Sequence, residues 1–111
     1  MAEKNREDLL GKVIRLKDIV AYQEGTIASR MVVVSKAGSI TVFSFDAGEE
    51  ISEHTAPYDA VVTILEGMCE VTLHDTHYQM QEGETIIFPA HAPHAVRALT
   101  RCKMMLTMIR D

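Results

Sequence analysis

Two of the five histidines in this chain close glycine-punctuated segments. One segment runs Gly48-Glu-Glu-Ile-Ser-Glu-His54 and on to Gly67, and the other runs Gly83-Glu-Thr-Ile-Ile-Phe-Pro89-Ala-His91-Ala-Pro93-His94. Each delivers an imidazole to the edge of a strand. Neutral imidazole is the commonest protein ligand for zinc, copper, nickel and non-haem iron, with carboxylate usually joining it for iron or manganese. A stable site generally takes about three protein ligands, with water or substrate at the open position, so the identity of a third donor matters. His91 is the nearest candidate. Three residues apart on a regular strand, His91 and His94 would face opposite sides, and convergence requires Ala92-Pro93 to turn one of them. The alternative is that His91 fills a turn position that favours glycine, since histidine tolerates the left-handed region better than most residues. Glu53 adjoins His54 and should face outward, and Asp59, after Pro57-Tyr58, reads as a turn residue. His74 and His77 flank Asp75-Thr76, which reads as a two-residue hairpin turn; they read as solvated hairpin-end residues, with a surface metal site as the alternative.

The elements that must position these side chains are strands. From Ile14 onward the chain shows short apolar runs of period two separated by Gly, Pro, Asp or Ser, the pattern of an all-β sandwich or barrel. The runs are Val13 to Leu16, Ile27 to Ser35, Ser39 to Asp46, Ala60 to Glu66, Cys69 to His74, His77 to Gln81, Thr85 to Phe88, Ala95 to Ala98 and Cys102 to Ile109. Residues 3 to 10, and Leu16 to Tyr22, read as helical. Residues 1–26 are thus expected to form an N-terminal helix and arm, and 27–111 a β-barrel domain. On the last strand Lys103 should face water, turning Cys102, Met104, Leu106 and Met108 to the buried side. Cys69 and Cys102 lie in alternating apolar stretches with no Cys-x-x-Cys spacing and read as buried thiols of a reducing compartment.

The two segments resemble the paired motifs of the cupin superfamily, small β-barrels that often hold a metal between histidines. The first cupin motif reads Gly, five residues, His-x-His, three or four residues, Glu, six residues, Gly. The second reads Gly, five residues, Pro-x-Gly, two residues, His, three residues, Asn. The resemblance covers about Ile27 to Ile109 and implies a double-stranded β-helix, or jelly-roll, barrel with a short N-terminal helix. It places His54 and His94 at ligand positions, and Gly48, Gly67, Gly83 and Pro89 at framework positions. Ala56 stands where the second histidine would be, Ala60 where the glutamate would be, His91 where the second-motif glycine would be, and Ala98 where the asparagine would be. If His54 and His94 face the interior, period two carries Val96 and Ala98 inward with His94, and the alignment adds Ala56 and Ala60, with Val62 and Ile64 continuing the line.

The expected site therefore comprises His54, His94, Ala56, Ala60, Val62 and Met104 around a ligand, with His54, His94 and His91 as the candidate ligands of a loosely held divalent metal (Zn, Ni, Mn or Fe). No catalytic residue is singled out. A small-molecule-binding cupin is the preferred reading, because the matching positions supply two ligands; a metalloenzyme of dioxygenase or isomerase type is the alternative, and a structural dimer subunit a third. Cupins of this size commonly pair through N-terminal strands, which together with the apolar stretches Val13 to Leu16 and Val32 to Val34 leads to the expectation of a homodimer. With 111 residues the chain is one domain. A net charge of −5 and scattered Lys and Arg argue against nucleic acid. No apolar run approaches a membrane span, and the charged start, Met1 to Asp8, lacks the apolar region of a secretory signal, so a cytoplasmic location is the expectation.

Overall fold

The computed structural model describes residues 8–110. Nine strands form among them: β1 Ile27–Ser35, β2 Gly38–Phe45, β3 Glu50–His54, β4 Asp59–Glu66, β5 Met68–Leu73, β6 Thr76–Gln81, β7 Thr85–Phe88, β8 His94–Ala98 and β9 Cys102–Ile109. They make two antiparallel sheets, β1-β2-β9-β4-β7 and β3-β8-β5-β6, facing each other as a jelly-roll barrel. The fold is all-β, as the alternating pattern implies.

Period two decides what lies between the sheets. Facing positions on paired strands bring Cys102, Met104, Leu106 and Met108 opposite Phe45, Phe43, Thr41 and Ser39, and Ile64, Val62 and Ala60 opposite Met104, Leu106 and Met108. From the second sheet come Cys69, Val71, Met80, Val96 and Ala98, all buried in the same cluster. Fully burying an aliphatic or aromatic side chain is worth about 1.5–3 kcal/mol, so this interior holds the two sheets at a fixed spacing. Cys69 and Cys102 meet across it as buried free thiols, and hydrogen bonding to Cys69 together with burial pushes the Cys102 thiol up.

Two corners carry the chain between sheets side by side. Gly67 alone joins β4 to β5, with φ +79°, while residues 99–101 join β8 to β9. A side chain at Gly67 would place its Cβ 2.0 Å from the Arg101 carbonyl oxygen, so only glycine permits both the left-handed turn and the close approach.

The N-terminal arm departs from expectation. Val13 to Leu16 is not a strand, and Val13 is fully exposed. Residues 8–10 form a turn rather than helix, with 3–7 lying outside the described residues, and of Leu16 to Tyr22 only Leu16–Asp18 coils, as one 3-10 turn. The reason lies in the partners of the arm's carbonyls. Lys103 Nζ donates to the Lys17 carbonyl, Arg30 to that of Ile19 and the Ser44 hydroxyl to that of Ala21. These acceptors are spent on the outer face of the five-stranded sheet instead of on a following helical turn, and β-branched Ile19 and Val20 favour that outcome.

Lys103 is accordingly buried, at 8% exposure, where the sequence suggested water. Alternation does turn it away from the core, but the arm covers that face. Its ammonium lies 4.7 Å from the centroid of the Tyr22 ring, a cation–π contact. The Tyr22 hydroxyl donates to Glu66 at 2.7 Å, and burial together with that carboxylate raises its pKa.

Candidate functional site

β3 and β8 pair at one edge of the four-stranded sheet, and their register sets His54 directly opposite His94. A register shift between Ile51 and His54 interrupts the ladder just before that pair. The ring centroids lie 4.3 Å apart, tilted by 68°. Phe88, at the end of β7 on the other sheet, stacks on His94 at 4.2 Å and 12°, so His94 sits between an aromatic face and a second imidazole.

Each ring is fixed by a short-range hydrogen bond. His54 Nδ1 lies 2.9 Å from the Ser52 carbonyl and His94 Nδ1 lies 2.9 Å from the Ala92 carbonyl. A carbonyl only accepts, so in both rings Nδ1 carries the hydrogen and the neutral ring keeps its lone pair on Nε2. Neither Nε2 has a hydrogen-bond partner among the described residues. His94 is buried at 6% exposure, whereas His54 lies at the rim. Burial depresses the His94 pKa below its ordinary 6.5; the bond to Ala92 opposes that shift and His54 reinforces it.

Both rings border one cavity of about 40 Å³, lined also by Phe43, Ile51, Val62, Phe88, Val96, Met104 and Leu106. That space suits a single ion, a water or a small head group. Of the residues expected around a ligand, His54, His94, Val62 and Met104 share this lining, while Ala56 and Ala60 do not. Ala60 is buried beside Phe88, its cross-strand partner, and the Phe88 ring occupies the inner face next to the small side chain. Ala56 is half-buried and acts through its backbone, accepting from the His91 N–H at 2.7 Å. Phe88, Phe43 and Ile51 went unassigned in the sequence, and Leu106 was read as buried but not as part of the site; alternation with Ile86 and the position just before Pro89 are the signals that mark Phe88.

His91 is exposed, with φ +70°, in a turn closed by the Ala92 N–H donating to the Pro89 carbonyl. It thus takes the left-handed position that favours glycine. His74 also has a positive φ, +54°, because the hairpin turn is His74-Asp75 and not Asp75-Thr76: Leu73 pairs with Thr76 and Thr72 with His77. His77 Nδ1 lies 2.9 Å from the Thr72 hydroxyl, away from the barrel cavity. Asp59 accepts from the Ala90 N–H at 2.8 Å, spending its carboxylate on the β7–β8 loop.

No group of three or more His, Cys, Asp or Glu among the described residues could hold one ion. The four-donor divalent site that the resemblance implies is therefore not matched: two imidazoles stand where two more donors have become alanine. A larger depression of about 380 Å³ lies outside the barrel on the four-stranded sheet, lined by Glu50, Glu70, Thr72, His77 and Arg97. Its charged groups stand mostly in solvent, where they are screened, so the convergent, partly dehydrated chemistry belongs to the barrel.

A family model described as Cupin domain matches residues 41–109. Among solved structures, a conserved protein of unknown function from Streptococcus pyogenes is 40% identical over 91% of this chain and 89% of that one, with a TM-score of 0.86. A cupin superfamily protein from Desulfitobacterium hafniense DCB-2 is 27% identical over 91% and 93%, with a TM-score of 0.87. A Cupin 2 conserved barrel domain protein from Leptotrichia buccalis is 35% identical over 85% of this chain and 46% of its own length, with a TM-score of 0.81. No curated protein matches. Among the described residues no helix is long and apolar enough to cross a membrane.

Proposed function

Because the chain belongs to the cupin family, we propose that it is a small-molecule-binding cupin whose barrel seats a small head group against His54 and His94. The observation that supports this reading is the pair of fixed Nδ1–H groups, which leaves two lone pairs beside one small cavity. Such a cavity offers acceptors and no donor. It complements the O–H or N–H of an organic ligand, or an electron-pair-accepting ion, and it disfavours a carboxylate or phosphate, because burial keeps His94 neutral. The rest of an organic ligand would lie at the barrel mouth beside His54. A divalent ion entering here gains two imidazoles and no charged protein ligand, so weak retention follows. The metalloenzyme alternative requires further protein donors, and the residues beside the pair are Phe88, Val62 and Met104.

The test is thermal stabilisation of metal-free protein by a panel of small diols, amines and amides alongside matched carboxylates. A ligand present at a hundred times its Kd adds about 2.7 kcal/mol. Stabilisation by donor-bearing compounds that is lost in His54→Ala supports the assignment. Stabilisation by carboxylates alone, or hits indifferent to His54→Ala, overturns it.

A further inference from the structure

We infer that Cys69 and Cys102 are an oxidative modification site, a dithiol that hydrogen peroxide converts to an internal disulfide tying the four-stranded sheet to the five-stranded one. The site stands apart from the histidine pair. Along the pairing of β5 with β8, Cys69 is opposite Ala98 and Leu73 is opposite His94, so thiols and imidazoles occupy opposite ends of the barrel.

The two sheet-crossing corners bring the thiols together. Cys69 comes just after Gly67-Met68, and Cys102 directly follows residues 99–101. The corners are in contact: the Leu99 and Thr100 N–H groups donate to the Met68 carbonyl at 3.0 and 3.2 Å, and a Cβ on Gly67 would lie 3.0 Å from the Cys102 Cα. Sheets stacked face to face stand about 10 Å apart, beyond the roughly 4.4–6.8 Å between Cα atoms that a disulfide takes. Beside a shared corner that separation narrows. Both side chains belong to one buried cluster, and the Cys102 S–H donates to the Cys69 sulfur.

That hydrogen bond gives the two sulfurs different roles. It favours the Cys69 thiolate and holds its pKa down, with burial opposing, so Cys69 is the nucleophile. Its sulfur attacks one peroxide oxygen, the O–O bond breaks, and water leaves with the thiol's proton, giving the Cys69 sulfenic acid. The Cys102 sulfur then attacks Cys69, the S–O bond breaks, and the departing hydroxide takes the Cys102 proton as a second water. Two thiols have lost two electrons and the peroxide has gained them. Both thiols are fully buried, which selects a small uncharged oxidant. Its approach is the depression of about 520 Å³ outside the corners, lined by Gly67, Met68 and Thr100 with Gln81 and Glu82.

The test is exposure of the full, folded chain to stoichiometric hydrogen peroxide, followed by alkylation in denaturant and intact-mass and peptide analysis. Wild type is expected to lose two hydrogens and both alkylatable thiols, to yield a Cys69–Cys102 cross-linked peptide, and to recover fully in dithiothreitol. Closing a loop of about 30 residues should raise Tm by about 10 °C. Cys102→Ala should stop at a sulfenic acid that dimedone traps on Cys69, whereas the thiol left in Cys69→Ala should react at least tenfold more slowly. Should either variant fail to fold, the wild-type measurements decide alone. The inference is overturned if both thiols stay alkylatable after peroxide, if the disulfide joins two chains, or if the oxidised protein melts no higher than the reduced one. It is equally overturned if oxidation is no faster than global unfolding measured by hydrogen exchange, because the thiols would then react only in the unfolded chain.

Discussion

Replacing Gly67 by alanine tests whether the close approach of the two sheet-crossing corners fixes the spacing of the barrel. The residue has φ +79°, and an added Cβ would lie 2.0 Å from the Arg101 carbonyl oxygen and 3.0 Å from the Cys102 Cα. Ordinary contact begins more than 1 Å further out, and the obstacle is backbone on β9's approach, which cannot rotate aside like a side chain. A left-handed conformation costs a non-glycine residue about 1–2 kcal/mol, and overpacking adds about 1–3 kcal/mol. The reduced freedom of the unfolded chain returns about 0.4–1 kcal/mol, leaving a net loss of roughly 2–4 kcal/mol. With 111 residues at about 2.1 cal/mol/K each, the unfolding entropy is roughly 230 cal/mol/K, so each kcal/mol moves Tm by about 4 °C. Gly67→Ala should therefore melt about 8–16 °C below wild type. Gly83 is the control: its φ is +87°, yet nothing lies within 4 Å of an added Cβ, so Gly83→Ala incurs the backbone term less the unfolded-chain return and should lose about 2–6 °C by the same conversion. Thermal melts followed by circular dichroism at one pH compare them. Equal losses in the two variants would refute the argument, because the Arg101 contact would then have no energetic weight.

The remaining predictions concern the histidine pair and the outer face of the barrel. Because burial depresses the folded-state pKa of His94 below 6.5, the unfolded chain binds more protons once the pH falls under that value. The contribution is fully present above about pH 6.5 and is lost as pH falls toward the depressed pKa; His94→Gln should flatten the Tm-against-pH slope in that window, and an unchanged slope would show that another group carries it. The homodimer expected from the sequence is proposed to form on the outer face of the five-stranded sheet, along a row that runs from β1 to β7. There Val33 is 42% exposed and heads a cross-strand row through Ile40, Thr107 and Val61 to Ile87, which is 58% exposed. Light scattering should give twice the chain mass for wild type and the single mass for Val33→Glu with Ile87→Glu; a wild-type monomer at tens of micromolar would dispose of the idea.

How far the sequence reveals this protein depends on whether a residue's partner is local. Strands whose apolar residues alternate over five or more positions, such as β2, β4 and β9, are legible because the period alone assigns their faces. β3 was not, since Glu50-Ile-Ser-Glu-His54 offers only Ile51 as an inward signal, and its strand character comes from pairing with β8. Lys103 makes the same point from the other side. Alternation placed it opposite Cys102 and Met104 correctly, yet its burial depends on an arm more than 80 residues earlier in the chain, whose carbonyls no period reports. The candidate site divides likewise. The resemblance to the cupin motifs brings out His54 and His94, because its glycine and proline framework positions answer to backbone conformation at fixed offsets. The volume that Phe88 takes beside Ala60 emerges only from the pairing of β4 with β7, and its stacking on His94 only when the second sheet is laid across the first. An alanine in a ligand position therefore does not by itself mean an open cavity. Here the side chains packed around that position reduce the space to the size of one ion or head group.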